Sequence, residues 1–161
     1  MLITPLRFRA LHKVPALPSR TVRAALGEME PDNPTAPWLD EHFREQLLDS
    51  VVEPTPSMMV RENVLVVPGY DSNTPTTRGM LEELGGRAWA TITFGQMLHV
   101  LGTIDRRVWY MAYIRRGEDV FGVHAGWMEH GRQTEVRKLH LSSGPLDRSH
   151  PWAEGCHVLS Q

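Results

Sequence analysis

The sequence predicts an α+β fold, with short N-terminal helices and a C-terminal antiparallel β-meander, on three observations. Apolar residues at helical spacing are confined to the first two thirds of the chain. The last third holds three strand-like runs separated by hairpin-length loops that contain glycine. Twelve prolines, many of them in PDNPTAP, EPTPS and SNTPTT, imply extended connections in place of tight α/β crossovers. At 161 residues and 41% hydrophobic, the chain is expected to form a single domain over 1–161. An N-terminal arm over 1–20 and an irregular C-terminal tail over 143–161 are expected to flank its core.

Element by element, Ser19 or Thr21 can cap a short helix over Val22-Arg23-Ala24-Ala25-Leu26, which Gly27 closes. The stretch from Trp38 to Leu48 puts Trp38 or Leu39, Phe43, Leu47 and Leu48 on one helical face, with acids in the first turn where the helix dipole favours them. Asn63 to Val67 is a β-branched run halted by Pro68-Gly69, as a buried strand entering a turn would be. Thr76 or Thr77 precedes a helix over Met80 to Leu84 that stops at Gly85-Gly86, and TFGQMLHVL suggests another over 93–101. The meander follows as 108–114, 120–128 and 134–141, and its third strand mixes polar and apolar residues on both faces, as an edge strand does. The tail keeps Leu146, Trp152, Val158 and Leu159 without a sustained period.

Charge and cysteine content exclude several classes. Seventeen basic against nineteen acidic residues, a formal charge of −2, exclude a strongly basic tail protein and an acidic disordered segment. Arg7, Arg9, Lys13 and Arg20 make the first twenty residues basic, whereas 21–55 holds eight acids and only Arg23 and Arg44. A basic arm followed by an acidic block could steer two copies head to tail. Cys156 is the sole cysteine, so no internal disulfide can form and the composition leans toward a reducing, cytoplasmic setting. Arginines and a lysine interrupt the apolar run at the N-terminus, unlike a secretory signal, and the weakly polar window 88–104 contains Gln96 and His99 and barely reaches spanning length. No membrane association is expected.

Motifs that carry chemistry are incomplete. VLVVPGYDSNTPTT (64–77) resembles the first strand and loop of serine hydrolases of the α/β-hydrolase class over about ten residues, but no G-x-S-x-G elbow follows. His140-Leu141-Ser142 is similar to one half of the His-x-Ser/Thr pair of two-histidine phosphoesterases, and no second copy occurs. Eight histidines and Cys156 show no metal-ligand spacing, and neither phosphate-binding glycine motif is present. The expectation is therefore no catalytic residue, no metal and no cofactor.

Function is expected to be non-catalytic: a protein-binding subunit or adaptor of a larger assembly, in the manner of viral or phage structural components, with other protein chains or further copies of itself as partners. Arginine and tryptophan in irregular segments mark Arg7, Arg9, Trp38, Arg148 and Trp152 as the interface. A small histidine-dependent hydrolase using His124, His130 and His140, with or without a divalent metal, is the alternative. A nucleic-acid-binding module is the second alternative, with Tyr110 and Tyr113 stacking bases while Arg106, Arg107, Arg115 and Arg116 contact phosphate. Seven basic residues against five acids over 105–140 make that electrostatic footprint weak.

Overall fold

The computed structural model describes residues 6–27, 36–66, 77–130, 133–146 and 155–161. The chain enters through β1 (Leu6–Val14) and β2 (Arg20–Thr21) into α1 (Val22–Leu26). Thr21 Oγ1 accepts the Ala24 N–H as its N-cap, and Gly27, at φ 77°, closes the helix. Next come β3 (Trp38–Leu39) and α2 (Glu41–Gln46). The predicted helix over 38–48 is thus shorter at both ends. Asp40 accepts the Phe43 N–H at 2.8 Å and fixes the helix start after it, leaving Trp38 and Leu39 extended.

β4 (Val51–Val52) pairs with β2 as a separate ribbon, and β5 (Met58–Leu65) begins before the predicted run. α3 (Thr77–Glu83), α4 (Arg87–Ala90) and β6 (Thr91–Ile92) lead into α5 (Phe94–Leu101). A capping box starts α5: Thr93 Oγ1 accepts the Gln96 N–H, and Gln96 Oε1 accepts the Thr93 N–H. The last strands are β7 (Tyr110–Arg116), β8 (Asp119–His130), β9 (Gln133–Pro145) and β10 (His157–Ser160).

The expected α+β architecture of N-terminal helices plus a C-terminal meander is not the fold. The described residues are 47% strand and 23% helix, built on a mixed eight-stranded sheet of order β1-β5-β10-β7-β8-β9-β3, with β6 also on β7. The β7–β8–β9 meander occupies only one side of it. The chain's first and last described strands fill the other side, and β10 lies inside the sheet, antiparallel to β5 and parallel to β7. β10 is only four residues long, and all four are buried. Its identity as a strand comes from two neighbours distant in sequence, so local periodicity could not announce it.

Both faces of the sheet carry apolar layers. On one, Val60, Leu159, Tyr110, Ala112, Val123 and Leu141 meet α2 and α5 through Phe43, Leu47, Phe94 and Met97. On the other, Leu65, Val158, Met111 and Tyr113 pack with Met80 and Ala90 of α3 and α4. No described helix is long and apolar enough to cross a membrane.

Candidate functional site

β1 is the outermost strand of the sheet, paired on one side with β5 from Leu6↔Leu65 to Val14↔Met58. No described strand pairs with its other side. Between Phe8 and Ala10 the register slips by one residue, making Arg9 the extra residue of a β-bulge. That slip decides which way every later side chain points. Before it, Leu6 and Phe8 share a face with Leu65 and Asn63; after it, Ala10, His12 and Val14 lie on the opposite face, beside Glu62 and Val60. Two characters result. One face of β1 is basic, with Arg7, Arg9 and His12; the other carries Leu6, Phe8 (53% exposed), Leu11 (50%) and Lys13. Arg61 of β5 covers the Phe8 ring, its guanidinium carbon 5.3 Å from the centroid.

Beneath the basic face sits Glu62, 2% exposed. Its Oε2 accepts from His12 Nε2 at 2.6 Å, its Oε1 accepts from His157 Nδ1, and Arg9 Nε lies 3.3 Å from Oε1. Burial opposes ionisation, but the hydrogen bonds from His157 and His12, with their charge, outweigh it and hold the carboxyl below its usual range. β1, β5 and β10 are therefore tied together through one buried carboxylate. Tyr110 meets the His157 ring edge-on at 5.2 Å and donates its hydroxyl to the Asp105 carbonyl at 3.0 Å. Burial, with Glu62 and Asp105 nearby, pushes this phenol far above its usual range. Arg107 in turn holds the Asp105 carboxyl down at about 2.

The three predicted contact residues that are described do not form one surface. Arg7 and Arg9 lie on β1. Trp38 lies on β3 at the opposite edge, six strand spacings or roughly 29 Å away, where its indole stacks on His140 at 5.0 Å. Arg148 and Trp152 fall outside the described residues.

His124 and His140 share a face on adjacent strands, through the pairs His124↔Ser142 and Gly126↔His140, while the side chain of His130 is outside the described set. Among the described residues no three His, Cys, Asp or Glu side chains are grouped to hold a metal ion. Tyr110 and Tyr113 are core residues, so neither ring can stack on a base. The arginines of that reading have partners within the chain: Arg106 over Trp127, Arg107 on Asp105, Arg115 on the Thr91 carbonyl, and Arg116 on Asp119 and Phe121.

Two reactive-looking groups prove to be structural. His42 Nδ1 lies 2.7 Å from Ser143 Oγ, but Asp40 accepts the backbone N–H groups of Phe43 and Ser143 rather than orienting the imidazole, so the three dock α2 on β9. Cys156 is buried and its thiol is pushed up to about 12, far from the thiolate a nucleophile needs.

Sequence reasoning missed Glu62, His12 and His157. One signal was present: an acid inside the strand-like run around Val60 and Val64 must be paired if it points inward. Its partners lie 50 and 95 residues away in sequence. No protein-family model, curated protein or solved structure matches this chain.

Proposed function

We propose that the protein is a binding subunit of a larger assembly, and that β1 receives an extended segment of another polypeptide in which acidic and apolar residues alternate. The two-faced edge of β1 carries this reading. Strand addition supplies main-chain hydrogen bonds, and side chains on alternate faces supply selectivity. Acidic residues of the incoming strand meet Arg7 and Arg9, while its apolar residues cover Phe8 and Leu11. Pairing β1 with β1 of a second copy would set basic residues against one another, an arrangement that destabilises a ladder, and the bulge interrupts the regular edge that self-pairing needs.

The test is fluorescence anisotropy with a labelled peptide as long as β1 that alternates glutamate with valine, beside a lysine–valine control. The acidic peptide is expected to bind with a Kd of about 1–10 μM, or roughly −7 to −8 kcal/mol. Its affinity should weaken in 1 M salt, where the Debye length falls to about 3 Å. Equal binding of both peptides, or of neither, would refute the proposal.

A further inference from the structure

A second feature lies away from β1. Between α1 and α5, bounded by Leu139 of β9, is a cavity of about 380 Å³. Ala25 on α1 and Gly95 on α5 are the smallest residues of its lining. Its apolar wall is made by Leu17, Leu26, Leu98 and Leu139, which pack against the core on one side and remain partly uncovered on the other. Keeping such surface in water costs about 25 cal/mol per Å², so an apolar occupant gains where water does not. Among the described residues of the lining, Arg20 and His99 are the charged or titratable side chains.

We infer that this cavity binds an aliphatic chain ending in a carboxylate, the chain lying along the four leucines and the head group paired with Arg20. The volume falls in the range of small-molecule sites. A guanidinium presents two parallel N–H donors to a carboxylate, and His99 adds a further polar contact at the wall. Nucleotides and sugars fit poorly, because their hydroxyl and ring polar groups would face leucine without partners. This inference does not depend on the strand-addition reading of β1.

Isothermal titration of the full chain with decanoate, below its micelle-forming concentration, tests it. Saturable binding is expected. Decanol, with the same chain and no charge, should bind at least tenfold more weakly, and so should decanoate to Arg20→Glu. Ala25→Trp fills the cavity from a partly exposed helix position and should abolish binding, with circular dichroism confirming that the variant is folded. Absence of saturable decanoate binding would overturn the inference. Equal affinities for decanol and decanoate, or unchanged binding in Arg20→Glu, would show adsorption without head-group recognition and would also overturn it.

Discussion

The two edges of the sheet are built on opposite plans. β3 is two residues long, and α2 begins immediately after it. Leu39 is buried, the Asp40 N–H donates to the Leu141 carbonyl, and His42 and Asp40 bind the helix to Ser143. A short edge capped by a helix offers little backbone to a foreign strand. β1 is nine residues long, is exposed along much of its length, and is fastened by its ladder to β5 and, from below, by Glu62. One edge therefore spends its polar groups on closing itself. The other keeps its charges at the surface and its anchor buried, the division that the proposed strand addition would use.

Four substitutions test that contrast. The largest effect is expected at the closed edge, where Phe43→Ala removes a fully buried ring that meets Phe94 edge-on at 5.4 Å. Urea denaturation should show a loss of about 3–5 kcal/mol. Next, Glu62→Gln should cost about 2 kcal/mol, since charge-assisted hydrogen bonds from two histidines are weakened. Because the folded-state pKa of Glu62 is lowered, its contribution is complete above the ordinary value of 4.5 and is lost as pH falls through the lower folded value. The gap between wild type and Glu62→Gln should therefore shrink in acid; a constant gap down to pH 3 would show that the carboxylate's charge contributes nothing.

A smaller effect, about 1–2 kcal/mol, is expected for Asp40→Ala, which removes the α2 cap and the acceptor for the Ser143 N–H. Hydrogen exchange should show the loss around α2 and β3 and leave β1 unchanged. The smallest change in stability, within about 0.5 kcal/mol, is expected for exposed Arg7→Glu. The same variant should weaken binding of the acidic peptide at least tenfold, so a surface charge that barely affects folding is revealed by recognition alone.

How much was legible follows from how local each cause is. The N-cap of α1 at Thr21, its Gly27 stop and the hairpin turn at Gly117 rest on residues within a few positions of one another, and the sequence marks them directly. Phe43 was placed in a helix correctly, whereas Trp38 was not, because apolar spacing alone cannot see that Asp40 caps the helix two residues later. β1 looked like an irregular arm because a bulge at Arg9 inverts its alternation midway: Leu6 and Phe8 fit one phase, Ala10, His12 and Val14 the other. β10 looked like part of a loose tail because four residues carry no readable period.

The sequence alone determined that this chain folds around an apolar core, closes no disulfide within itself, and has four basic residues and no acid over 1–20 with an acidic block behind them. The three-dimensional arrangement decided which strands are neighbours, which edge stays open, and that Glu62 is buried between two histidines. The reason is physical. Helix caps and turns are satisfied by bonds within one turn of chain, but a buried carboxylate and a short interior strand are stable only through partners that folding brings from far along the sequence.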